Sequence, residues 1–91
     1  MKVFVIVGIT NSRMDLKPAI EKCYSTENRV NLGDANWLVA DEDAKTPESV
    51  FKKISADNPE GPWPTSFIVP VEHYYGVQNS KIWEWLTEKG F

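Results

Sequence analysis

Val3-Phe4-Val5-Ile6-Val7 sets five β-branched or aromatic residues in a row with no polar interruption. A strand with one wet face alternates polar and apolar side chains. A run that is apolar at every position has to be buried on both faces, and therefore lies inside its sheet. The same reasoning applies to Trp37-Leu38-Val39-Ala40, which follows the alternating segment Arg29-Val30-Asn31-Leu32 across the turn residues Gly33, Asp34 and Ala35. These segments predict a central first strand and a hairpin whose second strand is also central. A fourth strand, Phe67-Ile68-Val69-Pro70-Val71, contains a proline that cannot donate to a neighbour, so it belongs at a sheet edge or carries a bulge.

Between the strands, Leu16, Ala19, Ile20, Cys23 and Tyr24 recur at helical spacing, with Asp15 as the expected cap and Pro18 in the first turn. Thr46-Pro47-Glu48 starts a second helix: the threonine oxygen caps free amides, proline suits the first position and the glutamate complements the dipole. Val50, Phe51 and Ile54 form its inward stripe. Three prolines and a glycine between Asn58 and Pro64 deny that segment regular structure, leaving a stiff loop whose Trp63 is expected to pack down on the core. Ile82, Trp85 and Leu86 make a last helical stripe beginning near Asn79 or Ser80, with Gly90 where a C-cap belongs and Trp83 off the stripe. The order is βαββαβ plus a terminal helix. It predicts a single α+β domain over residues 1–91, a ferredoxin-like sandwich with an additional C-terminal helix.

Composition limits what such a domain can do. Ten Lys and Arg face thirteen Asp and Glu, for a net charge of -3 and a pI near 5.0. The chain has no general attraction to phosphate backbones or anionic membranes, and any nucleic-acid contact would have to be local. Cys23 is the only cysteine, which removes an intramolecular disulfide framework and every multi-cysteine zinc pattern. The first apolar run is too short for a signal-peptide core, and none approaches the ~20 residues that span a bilayer. The expectation is a soluble, cytoplasmic protein without a cofactor.

Helices cover one face of a ferredoxin-like sheet, so strands apolar on both sides need a second cover. A second copy of the chain, the terminal helix folding over, or a ligand beside Trp37 or Trp63 would each serve. A homodimer is the first expectation. Val3, Val5, Val7, Trp37, Trp63 and Trp83 are the interface candidates, and a further protein partner would act on the remaining surface.

The residues with chemical potential are few. His73, the only histidine, stands beside Glu72 and before Tyr74-Tyr75-Gly76, and the two could form an acid–base pair, although nothing places a nucleophile against them. Asp41, Glu42 and Asp43 cluster after the third strand, with Glu48 in the next helix. Oxygen-rich clusters can hold magnesium or calcium, but successive strand residues point to opposite faces, and a solvated acidic turn is the expectation. The loop after the first strand occupies the place of a phosphate loop without its glycine and lysine pattern, yet polar tips there often carry a fold's function, so Thr10, Asn11, Arg13 and Asp15 are the first candidate site. Cys23 falls in an apolar stripe, as a small hydrophobe would. The RNA recognition motif shares the βαββαβ order, and Phe4 lies in the right strand for base stacking. The third strand lacks the basic-glycine-aromatic signature of that module.

Trp37-Leu38-Val39, Ser66-Phe67-Ile68-Val69 and the tail Tyr75-Gly76 followed by Ile82-Trp83-Glu84-Trp85-Leu86 resemble the SinR-like proteins. Those small ferredoxin-like chains look related to the VapD-type ribonucleases and to the small CRISPR-associated nuclease-like adaptation protein. The resemblance implies a homodimer. The metal-dependent nucleases of the CRISPR-associated branch place an aspartate at the end of the first strand, whereas this chain reads Val7-Gly8-Ile9 there, with Asp15 the nearest carboxylate. That departure argues against the family nuclease activity, and the leading expectation is a cytoplasmic homodimer that binds a partner without catalysis of its own. A divergent metal-dependent ribonuclease using Asp15 or Asp41 and Asp43 is the alternative, and a small-molecule module using the open sheet face is the other.

Overall fold

The chain, as a computed structural model that describes residues 1–8, 16–33, 35–63, 65–73, 76 and 80–90, runs through β1 (Lys2–Gly8), α1 (Lys17–Cys23), a 3-10 turn (Thr26–Asn28), β2 (Arg29–Gly33), β3 (Asn36–Asp41), α2 (Pro47–Ile54), β4 (Ser66–Pro70) and α3 (Ser80–Glu88). The strands make one antiparallel sheet in the order β2-β3-β1-β4. The two strands that are apolar at every position are therefore the central ones. Pro70 lies in an edge strand whose register against β1 is unbroken, so it causes no bulge there. This α+β architecture, with its four-stranded sheet and three α-helices among the described residues, is compatible with the ferredoxin-like expectation.

Side-chain parity divides the sheet into two apolar faces. Phe4 and Ile6 of β1 and Trp37 and Val39 of β3 point to the first, where Leu16, Ile20, Tyr24, Val50 and Ile54 close over them from α1, α2 and their flanks. Phe4, Ile6, Ile20, Val39 and Val50 have no exposed surface. Val3, Leu38 and Ala40 point the other way and are buried under Ile82, Trp85 and Leu86 of α3, with Trp83 packed against the same cluster. The terminal helix thus takes the place for which a second copy was the first expectation. It is tied down by the Trp85 indole N–H, which donates to the Glu27 carbonyl (2.9 Å), and by the Lys89 ammonium, which donates to Asn28 Oδ1 (2.8 Å).

Local chemistry explains where the helices begin. At α2 the Thr46 oxygen accepts from the Ser49 N–H (3.2 Å) and the Ser49 hydroxyl oxygen accepts from the Thr46 N–H (3.2 Å), a reciprocal capping box followed by Pro47. At α1 the residue before the helix is Leu16, which makes no side-chain cap bond; Asp15, the expected cap, lies outside the described residues. Trp63 packs edge-to-face on Phe51, with ring centroids 6.0 Å apart, and its indole N–H donates to the Asn58 carbonyl (2.8 Å). It is half-buried against the first-face core, the position anticipated for it.

Candidate functional site

Asp41 ends β3 with the same parity as Trp37 and Val39, so its side chain turns into the first face instead of into solvent. The expected solvated acidic turn holds for Glu42 and Asp43, which are exposed, and fails for Asp41, which is 3% exposed. Its Oδ2 accepts from the Tyr24 hydroxyl (2.7 Å) and the Lys53 ammonium (2.8 Å). Its Oδ1 accepts from the backbone N–H groups of Asp43 (2.9 Å) and Ala44 (2.8 Å). Burial alone would raise the pKa of this carboxyl. The Lys53 ammonium and the Ala44, Tyr24 and Asp43 donors outweigh burial and hold it at about 2. Burial, and then the hydrogen bond to Asp41, push the Tyr24 phenol far above its ordinary range.

A carboxylate has roughly four acceptor positions, and here each oxygen already serves two donors. Asp41 is accordingly an anchor between β3, α1 and α2. A shallow cavity of about 300 Å³ opens beside it, with Cys23, Tyr24, Ser25, Asn28 and Lys53 in its walls. Lys53 is paired to Asp41, and Asp43 supplies its backbone to the network while its side chain faces water. The Cys23 thiol donates to the Lys53 carbonyl (3.4 Å), and burial raises its pKa, which keeps it a thiol. Among the described residues no group of three or more His, Cys, Asp or Glu is placed to hold a metal ion.

The other sequence candidates separate. His73 and Glu72 are exposed after β4. Thr10, Asn11, Arg13 and Asp15 lie outside the described residues. Val3 and Trp37, expected at an interface, are instead buried inside the chain, on opposite faces of the sheet, because α3 covers one and the α1–α2 layer the other. Val5 and Trp83 pack in the second-face cluster, and Val7 is half-buried. Gly8, at the end of β1, presses on the β2–β3 turn: a Cβ there would lie 2.8 Å from the Ala35 carbonyl oxygen. The Gly8 N–H donates to Asn36 Oδ1 (3.2 Å), which fixes that approach.

Sequence reasoning missed Phe67 and Val69 as surface residues. Through the register with β1 they lie beside Val7 and Val5 on the second face, yet Phe67 is 62% and Val69 39% exposed, outside the cluster that α3 closes. Their signal was parity: alternate residues of a predicted edge strand that are both large and apolar. Among the described residues the backbone of β4 pairs with a strand on one side only. The Val71 N–H donates to the Val3 carbonyl (2.9 Å), and antiparallel ladders alternate bonded and non-bonded pairs, so Val69 and Phe67 bond to β1 while Ser66, Ile68 and Pro70 present their backbone groups outward. Pro70, which has no N–H, falls at an outward position and deprives the sheet of no internal bond. Beside this edge, a groove of about 270 Å³ between α2 and β4 is lined by Pro47, Glu48, Phe51, Ser66, Phe67 and Ile68.

Among the described residues no helix is long and apolar enough to cross a membrane. No protein-family profile, curated protein or solved structure matches the chain.

Proposed function

We propose that this chain is a ferredoxin-like domain, βαββαβ with its terminal helix laid over the second sheet face, that works by binding and not by catalysis. In this reading it forms a homodimer and presents the β4 side to its partners. The observation that carries the reading is the exposure of Phe67 and Val69 together on an edge strand. Large apolar side chains grouped on an otherwise closed surface mark contacts with other proteins. The polar groups support the same reading. Asp41 is saturated by its own chain, Cys23 is held as a thiol, and the strand end that carries the aspartate in the nuclease branch has no room for a side chain.

Absolute mass by light scattering across a wide concentration range tests the reading, with an RNA-cleavage assay in magnesium and in manganese beside it. The expected result is a mass that rises from one chain to two, with no cleavage in either metal. A mass of one chain throughout would overturn the dimer. Metal-dependent cleavage abolished by Asp41→Ala in a variant that still folds would overturn the non-catalytic assignment in favour of the ribonuclease alternative.

A further inference from the structure

The edge of β4 matches a second copy of itself. From Ser66 to Pro70 the strand has no charged residue of the kind that protects many exposed edges, and its one device against pairing is Pro70 at the end. Two copies of a chain of net charge -3 can therefore meet here without like charges facing each other across the strands. The outward backbone groups belong to Ser66, Ile68 and Pro70, and the exposed side chains to Phe67 and Val69. Both sets are arranged about Ile68.

We propose that two copies join through their β4 edges, antiparallel about a two-fold axis at Ile68, into one continuous sheet. This rests on the homodimer reading above and names its contact. In this register Ile68 of each copy bonds the other in both directions, and each Ser66 N–H meets the Pro70 carbonyl of the second copy. The N–H that Pro70 lacks would have bonded the second copy's Ser66 carbonyl, which stays towards water at the end of the ladder. Phe67 then lies opposite Val69 of the second copy, and Val69 opposite Phe67, each as a non-bonded pair where side chains approach most closely. Aromatic and β-branched residues are favourable cross-strand partners, so one symmetry operation pairs both exposed residues twice. Sliding the copies so that Phe67 faces Phe67 keeps comparable backbone bonding but sets Val69 against Thr65, and so buries less apolar surface. A five-residue edge is small beside the roughly 800 Å² per partner of standard interfaces, so the dimer dissociates on dilution.

The test uses the full chain with Cys23→Ser as background, a change that keeps a hydrogen-bonding group opposite the Lys53 carbonyl. Phe67→Cys and Val69→Cys proteins are prepared separately, then incubated alone and mixed with oxidised glutathione as the oxidant. Non-bonded antiparallel pairs place Cα atoms about 4.5 Å apart, within disulfide range. The expected result is a disulfide-linked heterodimer in the mixture, at least tenfold more abundant than the linked homodimer of either protein alone. Preferential linkage within Phe67→Cys alone would overturn the register. A solution mass of two chains with no linkage in any combination would overturn the β4 contact while leaving the homodimer in place. A mass of one chain at every concentration would overturn both. Circular dichroism confirms that each variant folds, which the exposure of both positions favours.

Discussion

On the first face of the sheet two helices close over Phe4, Ile6 and Val39 until none has exposed surface, whereas on the second a single helix buries Val3, Leu38 and Ala40 while Phe67 and Val69 remain exposed. The first face also holds the one buried ionic network, from Tyr24 through Asp41 to Lys53, among the described residues. The second is tied by the hydrogen bonds of Trp85 and Lys89 to the turn before β2. One strand run, Val3 to Val7, supplies both faces, so the difference lies in what covers them. The first face fixes the arrangement of elements, and the incomplete cover of the second leaves an apolar edge for contact.

That contrast is open to direct attack. Phe4→Ala removes a ring with no exposed surface from the first face and is expected to cost about 4 kcal/mol, read by urea denaturation. Trp85→Ala removes the buried indole of the second-face cover, which retains slight exposure, and should cost about 3 kcal/mol by the same measurement. If Trp85→Ala proves as neutral as a surface change, α3 does not hold the second face and the comparison fails.

A smaller effect belongs to the Asp41 network. Its carboxyl pKa, about 2 in the fold, lies below the ordinary 3.8, so its contribution is fully present above about pH 4 and is lost as the pH falls towards 2. The difference amounts to roughly 2 kcal/mol. Asp41→Asn is expected to be less stable at pH 7 and to lack that component of the acid loss, as denaturation midpoints between pH 2 and 5 will show. The smallest effect on the isolated chain belongs to Phe67→Ser, expected to change its stability by no more than about 0.5 kcal/mol in dilute solution because the ring is mostly in water. A loss as large as that of Trp85→Ala would place Phe67 in the core and erase the contact surface.

Much of the architecture was legible because strand positions announce themselves in local pattern. Val3 to Val7 and Trp37 to Ala40 admit only central strands, Pro70 fits an edge, and Thr46-Pro47 marks the start of α2. What was not legible depends on contacts distant in sequence. Asp41 looked like part of an acidic turn because its partners, Tyr24 and Lys53, lie 17 and 12 residues away. Periodicity required a cover for the second face but could not choose between the chain's own last helix and a second copy. Parity placed Phe67 and Val69 on one face of an edge strand, but their exposure depends on which residues the α3 cluster takes in, a contact distant in sequence.

Residue-resolved amide hydrogen exchange, in dilute and in concentrated solution, tests the contact edge most directly. Exchange of the outward Ser66 and Ile68 amides is predicted to be fast when the chain is dilute and to slow at least tenfold where the mass reaches two chains, with the inward amides of Phe67 and Val69 protected throughout. Outward amides that exchange equally fast at both concentrations, or protection that arises along the outer edge of β2 instead, would contradict the account.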